Sequence, residues 1–304
     1  MAWRKSSFAL LAAASFAVAE KPLTRFESAA PHMGTLARIT LYAPHSAVAQ
    51  RAFAAAFARI HAIDAALSDY HPESEVTRLP AGAPVAISDD LFRVLRVAQT
   101  VSRASHGAFD VTLGPLTRLW REARRTRHPP SAESIAEAKR KCGYLFLHLD
   151  ARKRSVSLLK PGMQLDLGGI GKGFAAEEAI LTLRKAGIRR ALVAIAGDIA
   201  AGEAAPGTTG WRVEAAGALV VIRNQSISTS GDSEQHLDAS GVRYSHILDS
   251  GTGMGVANSK PVSIVARHGA VADALATAAA AIPEPEIASL LKGFHATRIH
   301  TQAK

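Results

Sequence analysis

Between residues 35 and 42, apolar Ala37, Ile39 and Leu41 alternate with Arg38, Thr40 and Tyr42, the period of a strand with one buried face. The spacing then changes: Phe53, Phe57, Ile60 and Leu67 recur at helical intervals and predict a long helix from about residue 46 to 68. A second helix is predicted over 131–141, stopped by Gly143, and a hairpin over 144–149 and 155–159 across a polar turn. Strand-like runs recur at 192–196, 211–215, 218–222 and 262–266. Two helices flank them, 174–186 ending at Gly187 and 271–282 ending at Pro283. Short strands in hairpin order with helices at irregular intervals predict an α+β fold, its sheets mixed and mostly antiparallel, rather than a regular parallel wind.

Composition narrows the class without changing that picture. The chain has 304 residues, 48% of them hydrophobic and only 20% charged, which suits a buried core and excludes disorder, collagen and coiled coil. A single cysteine, Cys142, excludes a disulfide framework and a thiolate zinc cluster. Arg4 and Lys5 precede an almost wholly apolar run from Phe8 to Val18, and Ala17-Val18-Ala19 supplies small residues for cleavage. Residues 1–19 therefore read as a secretory signal and 20–304 as one domain, an uncleaved anchor being the other reading of the same run. Cleavage would take the net charge from +10 to +8. With no cysteine behind the small residues for a lipid anchor, the expected location is the periplasm.

The densest basic cluster is Arg118, Arg121, Arg124, Arg125, Arg127 and His128, before Pro129-Pro130. It reads as a solvated loop or helix end. Aromatic residues make up only 6% of the chain and do not interleave with the basic ones, so nucleic acid is not an expected partner. A phosphorylated small molecule or an anionic surface remains.

Candidate chemistry gathers in three places. Residues 165–174 carry Gly168, Gly169, Gly171 and Gly173 with Asp166 and Lys172, between a strand-like approach and a helix. Such a turn presents backbone N–H groups to a phosphate, although a plain tight turn has the same composition. It is not a P-loop, because Gly173 follows Lys172 and Asp166 stands where the first glycine belongs; nor do glycines spaced by two fit a dinucleotide fingerprint. Further on, Asp273 and Thr277 lie four apart on one helix face. They are candidate oxygen ligands for Mg²⁺, or a helix carboxylate with a threonine at the core edge. Finally, hydroxyls and glycines at 227–232 and 244–253 surround His246, either a core imidazole or a general base.

The order of these pieces is more specific than any one of them. Met33-Gly34-Thr35, Leu67-Ser68-Asp69-Tyr70, the stretch from Gly107 to Leu116 with Leu119-Trp120, the glycine-rich segment, Ala196-Gly197-Asp198, Trp211, Thr229 to Asp232, His246 to Asp249 and Asp273 to Thr277 follow one another along the chain. Over about residues 30 to 282 the sequence resembles the ApbE family of flavin transferases.

The resemblance implies a T-fold-like α+β architecture and transfer of FMN from FAD to a threonine or serine hydroxyl, forming a phosphoester and releasing AMP. By the same resemblance, Met33, Tyr70 and Ala108-Phe109-Asp110 would line the nucleotide site, Asp166 and Lys172 would contact the nucleotide, and Ile247 would pack on it. The Gly169 carbonyl, Asp273 and Thr277 would hold Mg²⁺. Lys172 would stabilise charge electrostatically and His246 would act as general base; the acceptor would be a subunit of a membrane redox complex. Some members hydrolyse FAD to FMN and AMP, so an FAD pyrophosphatase is the alternative enzyme. A non-catalytic periplasmic flavin-binding protein is a third reading, disfavoured by the presence together of Asp273, Thr277 and His246. Three positions depart from the family pattern: Ser250 for a proline, Ala196 for a glycine and Glu177 for an aspartate. The first relaxes the loop after His246.

Overall fold

The structure is a computed structural model and describes residues 22–231, 236–239, 241–257 and 261–300; the expected signal segment and Asp232 lie outside these ranges. The chain begins with β1 (Thr24–His32), β2 (Thr35–Ala43), α1 (Ser46–Leu67), the short β3 (Val85–Ala86), α2 (Asp89–Ala104), α3 (Gly114–Thr126) and α4 (Ala132–Arg140). After a 3-10 turn at Tyr144–Phe146 come β4 (Leu147–Asp150), β5 (Ser155–Leu158) and α5 (Gly171–Lys185). A run of strands follows: β6 (Ala191–Ile195), β7 (Asp198–Ala201), β8 (Trp211–Ala215), β9 (Ala218–Ile222), β10 (Ser226–Ser230), β11 (His236–Ala239), β12 (Val242–Leu248), β13 (Gly255–Ala257) and β14 (Val262–Ala266). The described chain closes with α6 (Gly269–Ala281), α7 (Glu284–Lys292) and β15 (Thr297–Ile299). None of these helices is long and apolar enough to cross a membrane.

Seven strands form the main sheet in the order β1-β2-β6-β7-β10-β14-β15, antiparallel at each junction. The two-residue period of its strands sorts side chains into separate cores. Ala191, Val193 and Ile195 of β6, with Val262 and Ile264 of β14, join buried residues of α1, α5 and α6. Their neighbours Leu192 and Val265 point the other way, into a smaller core closed by Trp211, Val213 and Ile222 of the β8–β9 hairpin. A third cluster seats α3 and α4 on β11 and β12 through Leu116, Trp120, Ile135, Cys142, Leu237 and Leu248. Burial and the nearby Asp110 push the Cys142 thiol up to about 12, so this lone cysteine is an inert packing residue.

Helix α6 is buried at Ala270, Ala272, Ala274, Leu275, Ala276, Ala278 and Ala279, nearly all round, as a helix sandwiched between sheet and helices must be. It meets α5 where two glycines face each other: a Cβ on Gly173 would lie 2.3 Å from the Gly269 carbonyl oxygen and 2.7 Å from Asp273 Cβ. Polar pins hold the outer helices on this frame. Arg59 of α1 reaches Asp90 of α2 and Glu178 of α5, each at 2.5 Å, and Arg93 of α2 joins the same Glu178 at 2.5 Å.

The expected elements appear with small shifts of boundary, β8, β9 and β14 without any. Of the expected hairpin, residues 144–146 form the 3-10 turn instead, entered from Gly143 at φ 134. Arg118, Arg121, Arg124 and Arg125 of the basic run lie on α3, whose inner side carries buried Leu116, Trp120 and Ala123, while Arg127 caps its C-terminus and His128 follows.

Candidate active site

The glycine-rich turn is anchored before it bends. Leu165 and Leu167 are buried, the Asp166 N–H donates to the Val111 carbonyl at 2.8 Å, and Asp166 Oδ1 accepts from the Gly168 N–H at 2.7 Å. Helix α5 begins at Gly171 with no side-chain cap from Ile170, which leaves its first N–H groups for other acceptors. One of them, Gly173 N–H, donates to Asp273 Oδ2 at 3.0 Å. The close crossing of α5 and α6 at Gly173 and Gly269 makes this contact reachable.

One turn further along α6, Thr277 Oγ1 lies 3.5 Å from the Gly169 carbonyl oxygen and 3.2 Å from Ser230 Oγ. A side chain at Gly169 would collide with it, its Cβ coming within 2.8 Å of Thr277 Oγ1. Gly169, Asp273 and Thr277 thus offer a carbonyl, a carboxylate and a hydroxyl where α6 crosses the glycine-rich turn. Among the described residues no group of three or more His, Cys, Asp or Glu side chains could hold a metal. The set fits a hard cation, which takes oxygen ligands and often a single protein carboxylate. Its charge balance fits too: Asp273 is 2% exposed. Burial and the neighbouring Asp198 push its carboxyl up to about 7 against the pull of Lys172 and the α5 N–H groups, so an added cation would relieve it.

Lys172 projects from the first turn of α5. Its ammonium donates to the Gly168 carbonyl at 3.0 Å and stands 3.4 Å from Asp198 Oδ2. Burial opposes its charge, but Asp198, Asp273 and Asp166 outweigh that and hold it protonated, with its pKa raised. Asp198 is 2% exposed and accepts the Ser228 hydroxyl at 2.5 Å. Sequence reasoning gave Asp198 no role of its own. It follows a tight turn in which Ala196 takes φ 51, and the Ala-Gly-Asp spacing was the available signal.

Met33 and Gly34 form the two-residue turn between β1 and β2, both at positive φ, 53° and 69°, as a type I′ hairpin requires. Methionine is strained there. Its N–H is held by Asp64 of α1 at 2.9 Å, and its Cε sits 3.7 Å from where a Gly171 Cβ would be, beside the head of α5. Across the same loop, Arg121 contacts Asp69 at 2.5 Å and Asp166 at 3.1 Å and lies over the Tyr70 ring, 4.0 Å from its centroid. Arg121 is a site residue that the sequence showed only as part of a basic run.

The Ala108-Phe109-Asp110 segment is shaped from within. Phe109 is buried; Asp110 Oδ1 accepts the N–H and hydroxyl of Thr112, both at 2.7 Å, and Oδ2 accepts the Tyr144 N–H at 2.9 Å. Burial raises the Asp110 carboxyl despite these bonds. Its oxygens fix the loop. A Cβ on Gly107 would lie 4.0 Å from Ser250 Oγ, which puts the loop after β12 over this segment. His246 is half-buried on β12 and Ile247 buried beside it, the Ile247 N–H donating to Ser245 Oγ at 3.1 Å. Strand β12 packs against both α3 and α6. The loop beyond is fixed by the Trp120 indole N–H, which donates to the Gly253 carbonyl at 2.8 Å.

The glycine-rich turn at the head of α5, the Gly169, Asp273 and Thr277 oxygens and a tyrosine stacked under Arg121 sit on an antiparallel α+β frame. The ApbE family model matches residues 33–299, and the chain belongs to that family. It is 31% identical over 289 residues to an FAD:protein FMN transferase of Treponema pallidum, covering 86% of this chain and 80% of that one. A Klebsiella pneumoniae protein of the same name is 30% identical over 252 residues, covering 76% and 71%. Among solved structures, the flavin transferase ApbE from Vibrio cholerae superposes with a TM-score of 0.80 at 26% identity, over 91% of this chain and 93% of that one. The apo flavinyl transferase ApbE of Pseudomonas stutzeri gives 0.78 at 28%, over 91% and 90%.

Proposed function

We propose that this chain transfers FMN from FAD to a threonine or serine hydroxyl of an acceptor protein, with Mg²⁺ as cofactor. The observation that carries the reading is the meeting of the Gly169 carbonyl, Asp273 and Thr277 beside the head of α5 and Lys172. In the transfer, the hydroxyl oxygen forms a bond to the phosphorus of the FMN half, the bond from that phosphorus to the AMP oxygen breaks, and the hydroxyl proton passes to His246. Bound Mg²⁺ would neutralise the diphosphate and stabilise the departing AMP. Lys172 binds the same phosphates from the protein side, at the positive end of the α5 dipole. Met33, Tyr70 and the 108–110 loop hold the rest of the nucleotide, with Ile247 packed on it. General-base assistance by His246 contributes about 10²–10⁴-fold.

The N-terminal signal supports export, so the mature enzyme works in the periplasm as one domain, on a subunit of a membrane redox complex. Incubation with FAD, Mg²⁺ and a candidate acceptor, followed by in-gel flavin fluorescence and AMP detection, tests the reading. Covalent fluorescence with AMP release is expected, and Asp273→Ala abolishes both. AMP without covalent flavin would make the protein an FAD pyrophosphatase; bound FAD with neither product would make it a flavin binder; undiminished turnover in the Asp273 variant would overturn the cation site.

A further inference from the structure

Arg121 has no part in the transfer chemistry, yet it is the most connected cation at the site. It extends from the middle of α3 to a point where three separate segments meet. Its Nη1 is 2.5 Å from Asp69 Oδ2, its Nη2 is 3.1 Å from Asp166 Oδ2, and its guanidinium carbon lies 4.0 Å from the centre of the Tyr70 ring. Asp69 and Tyr70 follow α1, while Asp166 opens the glycine-rich turn. Both carboxylate side chains are largely closed off from water, 6% and 15% exposed. Two carboxylates converging in such a place repel each other: burial and then Asp166 raise the Asp69 carboxyl, and Arg121 pulls it back. A planar guanidinium can bond two carboxylates along its edge while its flat face lies on an aromatic ring, which an ammonium cannot do.

Much of Tyr70 faces solvent. The residue is 67% exposed although one ring face is covered by Arg121. Asp166 spends Oδ1 on the Gly168 N–H and Oδ2 on Arg121, so its plane is fixed from both ends. Arg121 is itself held in place by its neighbour Trp120, fully buried and bonded to the Gly253 carbonyl. An exposed aromatic ring held in place from one side is a stacking surface for a planar ring.

We propose that Arg121 is a positioning residue for the dinucleotide substrate, holding Tyr70 to stack on a planar ring of FAD and holding Asp166 in the orientation that meets the nucleotide. This rests on the flavin-transfer reading. The effect falls on binding, because neither contact involves the phosphorus that is attacked.

The test uses the full chain with FAD, Mg²⁺ and the acceptor protein that is flavinylated by wild type, comparing wild type, Arg121→Gln, Arg121→Lys, Tyr70→Leu and the double variant Arg121→Gln/Tyr70→Leu. Kd is read from flavin fluorescence, and KM and kcat from AMP release. Arg121→Gln raises Kd and KM about tenfold, the scale of one cation–π contact plus an oriented carboxylate, while kcat at saturating FAD falls no more than about twofold. Arg121→Lys keeps the charge but not the flat stack and stays several-fold weaker than wild type. The double variant binds about as poorly as the weaker single variant, because the two residues act as one surface. A purely structural arginine would instead lower Tm and leave the KM of the folded protein unchanged, which overturns the proposal. So would multiplicative effects in the double variant. Should Arg121→Gln fail to fold, Arg121→Lys carries the same comparison: an unchanged Kd in that folded variant overturns the proposal. Wild type that binds no FAD would remove the flavin-transfer reading and this inference with it; wild type that binds FAD with Arg121→Gln its equal would remove the inference alone.

Discussion

Lys172 on α5 and Asp198 at the start of β7 face each other with 3.4 Å between ammonium and carboxylate, and the Ser228 hydroxyl holds the other carboxylate oxygen. The position of the Lys172 ammonium is thus set by Asp198, an acid on a separate element. Asp198→Asn preserves shape but removes the countercharge. It should lower kcat/KM for FAD about 10–100-fold, the scale of a charged hydrogen bond worth about 1.5–3 kcal/mol. Since 29% of the Lys172 side chain is exposed, solvent screens the stability loss, and the variant should keep its circular dichroism spectrum. Full activity in this variant would show that Lys172 is aimed by something else.

The glycine crossing of α5 and α6 tolerates no methyl group. In Gly173→Ala the new carbon would fall 2.3 Å from the Gly269 carbonyl oxygen, so backbone must move. A loss of about 1–3 kcal/mol in urea unfolding is expected, with loss of the Asp273 contact and of turnover. Gly171→Ala meets nothing closer than Met33 Cε at 3.7 Å and should unfold within about 0.5 kcal/mol of wild type. Equal stabilities for the two variants would count against the crossing.

Acid should loosen the helices before it reaches the core. Hydrogen bonds from Arg59 hold the Asp90 carboxyl below its usual 3.8. An acid with a depressed folded-state pKa contributes stability that is complete above the unfolded-state value and is lost as pH falls through the folded-state value. Urea midpoints should therefore hold steady above pH 5 and fall below about pH 4 in part through Asp90. Asp90→Asn should start lower at neutral pH and lose less on acidification. Parallel curves for the two proteins would remove Asp90 from the acid response.

Local patterns were legible where the structure is local. Strands β8 and β9 stand where the alternation put them, because a hairpin turning at Ala216 and Gly217 needs only neighbouring residues. Helix α3 was obscured by its outward arginines, although Leu116, Trp120 and Ala123 fall at i, i+4 and i+7. Edge strand β1 has no fully buried position, so its pattern carries little contrast; its nine-residue pairing with β2 makes it a strand. At the site, residue types and order could be read, which sufficed for the resemblance. The partners of Arg121 and Lys172 could not, because Asp69 lies 52 residues from Arg121 and Asp198 belongs to β7 while Lys172 is on α5.

The separation along the chain between the two halves of the cation set also orders events in time. Gly169 and Thr277 are 108 residues apart, and Gly173 and Asp273 are 100 apart. During synthesis the glycine-rich turn and α5 emerge long before α6, and the contact that closes over them is distant in sequence, the kind that forms slowly. A nascent or truncated chain ending before α6 would carry the glycine-rich turn without its carboxylate or hydroxyl. Assembly of this cluster is in this way tied to completion of the fold: its parts meet only once nearly all of the polypeptide has been made.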